Sequence, residues 1–223
     1  MGNNIFLEQT NSIKHKKSEI QQFNIDNIQY KEWVNKNFIV PIRDKNNLQC
    51  GCGFFIEDLF FTSGHVWKSI NRAYININSQ EFELTEDIRI LCYNDDNCEG
   101  YDIAIFRFPN IKSDIEFCLE SMSEGMEVES ISFYDTLVES NQFYSYPIYC
   151  TAKILGIHEG NYFGIETSKS LKKGSSGSPI FSNGKVVGII TKGNNNGDDT
   201  LISEKVPLNF CYILSVKAIT SLI

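Results

Sequence analysis

Residues 174–179 read Gly174-Ser175-Ser176-Gly177-Ser178-Pro179, and they stand between a candidate strand at 161–167 and the run Lys185-Val186-Val187-Gly188-Ile189-Ile190-Thr191-Lys192. A serine with glycine on either side, in a tight turn between two strand-like runs, suits a nucleophile. The turn exposes the hydroxyl and aims consecutive backbone N–H groups at one point, and glycine permits the backbone angles this requires. Gly/Ser-rich turns are also ordinary loops, so the reading depends on what the rest of the chain brings to the serine.

Two stretches upstream bear on it. Phe61-Thr62-Ser63-Gly64-His65-Val66 sets a histidine just after an apolar strand, at the start of a short helical turn, and Tyr101-Asp102-Ile103-Ala104-Ile105 sets an aspartate at the mouth of a wholly apolar strand. A lone histidine is usually structural, and an aspartate before a strand is usually a turn residue. The three together run His65, Asp102, Ser176, which is the chain order of chymotrypsin and not that of subtilisin or the α/β-hydrolases.

TSGH, DIAI and GSSGSP resemble the catalytic motifs of trypsin-like serine peptidases of the chymotrypsin fold, most of all the compact bacterial kind, the high-temperature-requirement stress proteases and the staphylococcal glutamyl endopeptidases. Gly51-Cys52-Gly53-Phe54 resembles that family's strand before the histidine. Ile165-Glu166-Thr167 resembles the strand before the nucleophile loop, and Val187-Gly188-Ile189-Ile190-Thr191 the strand after it. The resemblance covers residues 37–223 and implies an all-β fold of two six-stranded antiparallel β-barrels with the active site between them.

It further implies roles. Ser176 is expected as nucleophile, His65 as general base and acid, Asp102 as the group that orients the imidazole, and the N–H groups of Gly174 and Ser176 as the oxyanion hole. Thr191 takes the position at which the family often has a serine whose hydroxyl supports the aspartate. Ser175 replaces the aspartate that pairs with a newly cut N-terminus in digestive relatives, so activation by trimming is not expected. Val66 stands in place of a disulfide cysteine. The specificity pocket is expected from Ser170, Leu171, Ile190, Thr191 and Gly193. Ser170 offers no carboxylate to Arg or Lys, and apolar Leu171 and Ile190 would leave a buried glutamate without partners. A small or medium apolar residue on the acyl side of the cut bond is therefore expected.

Composition bounds the alternatives. A net charge of −8 with pI near 5.0 argues against nucleic acid as the main partner. Only four alanines, against plentiful Ile, Phe and Tyr, favour sheet over helix. The longest apolar runs, such as Val186–Ile190, fall far short of a membrane span. Residues 1–17 lack the apolar core of a secretory signal, and Phe6 breaks a myristoylation motif at Gly2. Seven cysteines, an odd number, suit free thiols in a reducing compartment, so a cytoplasmic location is expected. Cys50 and Cys52 are too closely spaced for half a zinc site; no metal and no cofactor are expected. His15 and His158 have no catalytic company, and Lys172 and Lys173 read as a solvated pair.

The chain divides into an N-terminal extension at 1–27, a first barrel at 28–120 carrying His65 and Asp102, and a second barrel at 121–223. Strands are expected at 37–43, 48–56, 59–62, 72–78, 87–93, 102–107, 125–133, 142–157, 161–167, 179–182, 185–192 and 206–213, with a connector at 109–124. Ser215 caps an expected C-terminal helix with Val216, Ile219, Leu222 and Ile223 on one face. The expected partner is a polypeptide substrate, with room for a protein activator or targeting partner. The competing expectation is a catalytically silent or partner-gated peptide-binding module on the same fold.

Overall fold

Alternating apolar residues broken by Gly, Asn and Asp produce thirteen strands in the computed structural model, which describes residues 27–93, 101–139, 142–157, 161–169, 171, 173–193 and 210–223. They are β1 (Ile39–Arg43), β2 (Gln49–Ile56), β3 (Leu59–Thr62), β4 (Tyr74–Ile77), β5 (Gln80–Glu83), β6 (Arg89–Tyr93), β7 (Ile103–Arg107), β8 (Glu127–Glu139), β9 (Gln142–Ile157), β10 (Tyr162–Thr167), β11 (Pro179–Ser182), β12 (Lys185–Gly193) and β13 (Phe210–Ser215). Helices α1 (Ile28–Asn35), α2 (Gly64–Ser69) and α3 (Val216–Thr220) are short.

The second half is a closed six-stranded barrel in the order β10-β13-β12-β11-β8-β9. The first half departs from the expected closed barrel. It is a seven-stranded sheet in the order β5-β4-β1-β2-β3-β7-β6, a half-barrel whose edge strands do not pair with each other. The additional strand is β5, which forms a two-residue hairpin with β4. Asn78 and Ser79 both have positive φ, the geometry such tight hairpins demand. β5 carries Glu81 and Glu83 and β6 begins with Arg89, charges typical of strands left unpaired at an edge.

β2 and β7 are both interior strands of the first sheet and are apolar on both faces. Phe54, Ile56, Ile103 and Ile105 join a core shared with Ile131, Phe133, Phe181, Ile189 and Leu214 of the second barrel. Phe55, Ala104 and Phe106 turn the other way, into the interior of the first sheet. A third cluster, including Val128, Ile154, Ile165, Ile180, Ile190 and Ile213, fills the barrel itself. Burial of this kind contributes about 1.5–3 kcal/mol per large side chain, and the shared cluster spends it on docking the halves.

α1 was not expected. Asn27 caps it, its Oδ1 accepting the Gln29 N–H at 3.0 Å. Tyr30 and Trp33, three residues apart and fully buried, pack on Phe181 of the second barrel. The connector is tied down too: Ile115 is buried, and Cys118 donates its N–H to Val186 O at 2.7 Å. At the C-terminus the Ser215 cap holds, its Oγ accepting the Ala218 N–H. The helix stops at Thr220, so Ile223, expected on the buried face, is 58% exposed.

Candidate active site

α2 begins where β3 ends, and its first residue must be glycine. A Cβ on Gly64 would lie 1.7 Å from the carbonyl oxygen of Tyr93, the last residue of β6. That close approach sets the helix against the start of β7, where Asp102 sits. The two are bonded twice: His65 N–H donates to Asp102 Oδ1 at 2.7 Å, and His65 Nδ1 lies 2.6 Å from Asp102 Oδ2. A carboxylate oxygen only accepts, so the neutral imidazole carries its proton on Nδ1 and leaves Nε2 as the basic nitrogen. The Asp102 side chain is 10% exposed and that of His65 37%, so the acid is shielded while the imidazole edge reaches solvent. The backbone N–H of Asp102 donates to the hydroxyl oxygen of Tyr162, the first residue of β10, at 2.9 Å. This second-barrel residue was not anticipated, since nothing in its own neighbourhood in sequence marks it.

The serine turn belongs by sequence to the second barrel and by hydrogen bonding to both halves. Cys52 N–H donates to Ser176 O at 2.8 Å, Gly177 N–H to Ile190 O at 2.7 Å, and Ser63 Oγ to Ile190 O at 2.8 Å. Gly177 has φ +88, and a Cβ there would lie 2.0 Å from Cys52 O. Gly174 has φ +97. Both glycines of the hexapeptide are thus dictated by backbone conformation, and Gly177 also by contact. Among the described residues, no acceptor takes the N–H of Gly174 or Ser176. The Ser176 hydroxyl donates to Thr191 O at 3.4 Å, a long bond, and not to His65.

The remaining expected residues fall as follows. Ile190 is buried within the barrel cluster, and Leu171 packs against that cluster. Thr191 Oγ1 donates to Tyr212 O at 3.3 Å, so its hydroxyl does not support Asp102 as expected; β12 turns it towards β13 instead. Gly193 pairs with Cys211 in the same ladder. Ser170, Lys172, His15, His158 and Cys98 lie outside the described residues. Ser175 Oγ is buried without a hydrogen-bond partner. Gly51 rests on Val66, whose Cγ1 would be 2.5 Å from a Cβ at 51. The six described cysteines are free. Burial pushes the Cys52 thiol up to about 11, so it stays protonated and donates to Gly174 O at 3.1 Å.

No family model matches the sequence, and no curated protein is significantly similar to it. Solved structures are similar in fold. The inactive form of the Rv3671c protease aligns over 85% of this chain and 88% of its own, at TM-score 0.57 and 17% identity. The active form of that M. tuberculosis protease aligns at TM-score 0.58 and 18% identity, over 85% of this chain and 80% of its own. Neuropsin, a serine protease expressed in the limbic system of mouse brain, aligns over 83% of this chain and 92% of its own, at TM-score 0.60 and 16% identity. With its six-stranded barrel, its half-barrel and its terminal helix, this chain has the chymotrypsin fold of the trypsin-like serine proteases.

Proposed function

We propose that this chain is a serine endopeptidase acting on polypeptide. The observation that carries the reading is the 2.6 Å approach of His65 Nδ1 to Asp102 Oδ2 beside a glycine-bounded turn presenting Ser176. In this reading Ser176 Oγ attacks the scissile carbonyl carbon and its proton passes to His65 Nε2. The negative oxygen that forms is met by the N–H groups of Gly174 and Ser176, worth about 10²–10³ in rate for each donor. The intermediate collapses as His65 returns the proton to the departing amine, leaving an ester on Ser176. Water repeats the sequence, with His65 again taking and returning one proton, and the second product leaves as a carboxylic acid. Asp102 stabilises the imidazolium at both stages. The apolar side chains of Leu171 and Ile190 favour a small or medium apolar residue on the acyl side.

Fluorophosphonate labelling tests this: the expected result is one covalent adduct on Ser176, absent in Ser176→Ala. Absence of any adduct would sink the proposal. Cleavage of a peptide library with Arg or Glu preference would sink the pocket reading alone. The long Ser176–Thr191 bond favours a second reading, in which a partner must first turn the hydroxyl towards His65. Labelling that begins only when a protein partner is added would select it.

A further inference from the structure

We propose that Gln49 is a positioning residue for the serine turn, acting through the carbonyl of Gly174 and held in turn by Arg43, Asp135 and Ser145. The proposal deepens, and rests on, the reading of Ser176 as a nucleophile.

Gln49 is the first residue of β2, in the first half of the molecule. Its Nε2 donates to Gly174 O at 3.0 Å and to Phe133 O at 2.8 Å. Both acceptors are carbonyl oxygens, which cannot donate, so the nitrogen end of the amide must face them. Its Oε1 lies 3.1 Å from Ser145 Oγ, and its backbone N–H donates to Asp135 Oδ2 at 2.8 Å. Asp135 and Ser145 face each other across β8 and β9 of the second barrel, and Ser145 Oγ lies 2.7 Å from Asp135 Oδ1. Arg43 of β1 closes the network, its Nη2 meeting Asp135 Oδ1 at 2.8 Å and also reaching Ser145 Oγ. The Arg43 and Asp135 side chains are only 11% and 16% exposed, so their pairing is little screened by solvent.

Gly174 O therefore takes two donors from β2, the Gln49 amide and the Cys52 thiol. Fixing this carbonyl fixes the peptide plane between Gly174 and Ser175. That plane lies between the peptides that carry the Gly174 and Ser176 N–H groups, and Gly174, at φ +97, joins it to the first of them. A free glycine could rotate the plane, and the N–H groups of Gly174 and Ser176 would no longer converge. Preorganised donors stabilise developing charge because they need not reorient during reaction. The alignment of a second-barrel loop is thus set by a first-sheet side chain, which the second barrel itself clamps.

Gln49→Glu tests this with almost no change of size, since it turns a donor into an acceptor facing two carbonyls. Fluorophosphonate inactivation of the full chain is followed with kinact and KI separated, alongside thermal unfolding. The expected result is a kinact lowered about tenfold or more, with KI held within about twofold. Ser145→Ala, which leaves Gln49 in place but removes the hydroxyl that faces its Oε1, should lower kinact by a smaller factor, and it carries the test if Gln49→Glu does not fold. Unchanged kinact in the folded variants, or equal losses in kinact and affinity, would overturn the positioning role while wild-type labelling leaves the nucleophile reading standing. A wild-type chain that takes no label would overturn both.

Discussion

Gly64 shows how a single missing side chain can set the distance between two residues of the proposed triad. An added Cβ would meet Tyr93 O at 1.7 Å, with backbone on both sides of the clash. Gly64→Ala must therefore push α2 away from the start of β7 and lengthen the His65–Asp102 bonds. Overpacking of this kind costs about 1–3 kcal/mol. The expected outcome is a folded protein with a lowered midpoint in urea and Ser176 labelling reduced at least about tenfold. Labelling at the wild-type rate would show that the helix does not depend on that contact. His65, Asp102 and Ser176 stand out in the sequence as candidates because the proposed chemistry needs those residue types in marked backbone settings: after a strand, before a strand, between glycines. Gln49 and Tyr162 are not legible. A glutamine at a strand start and a tyrosine at another acquire their roles from groups 125 and 60 residues away.

Among the elements, α1 and β5 escaped the reading of the sequence for opposite reasons. In α1 the fully buried side chains are just Tyr30 and Trp33, with Val34 partly buried beside them, too thin a stripe to register as periodicity. β5 reads Gln-Glu-Phe-Glu, a composition poor for strands, and exists because the Asn78-Ser79 turn folds it back onto β4. The other twelve strands coincide with their expected runs, apart from β8, which runs six residues beyond its expected end to Glu139, and the part of the last expected strand at 206–209, which lies outside the described residues; alternation survives wherever one face is buried. α1 is nonetheless held firmly. Trp33 stacks on Phe181 at 5.3 Å and its Nε1 donates to Asp114 Oδ1 at 2.8 Å. Trp33→Ala should lower stability by about 3–5 kcal/mol in urea unfolding. A loss under about 1 kcal/mol would mean that the helix is only loosely docked.

The whole molecule carries buried acids that hold their protons. Burial raises the Cys52 and Cys150 thiols to about 11, from 9.0, and raises Cys211 and Tyr30 as well; for Tyr30, Glu129 adds to the effect. For a group raised in the folded state, the stabilising contribution is complete below the unfolded value and is lost as pH climbs through the folded one. The folding free energy should hold up to about pH 9 and fall steadily from there to pH 11, as unfolded thiols ionise and folded ones cannot. Urea midpoints at pH 8, 9, 10 and 11 measure this, and Cys150→Ala should flatten the slope. A midpoint constant across that range would contradict it. The all-β character and the two halves follow from composition and spacing, whereas the open edge of the first sheet does not: closure depends on which strands meet, and charges on β5 and β6 are ambiguous until both are seen as edges.

The Ser176 carbonyl is held by the backbone of β2, while the Asp102 backbone is held by a tyrosine of β10. Each half thus grips a residue of the proposed triad that the other supplies. A chain severed in the exposed stretch of the connector, near Leu119, would yield two fragments of which neither contains a working site. Under the proposed function, recovery of hydrolysis would then report their reunion, which makes the seam between the halves a basis for a split-protein sensor.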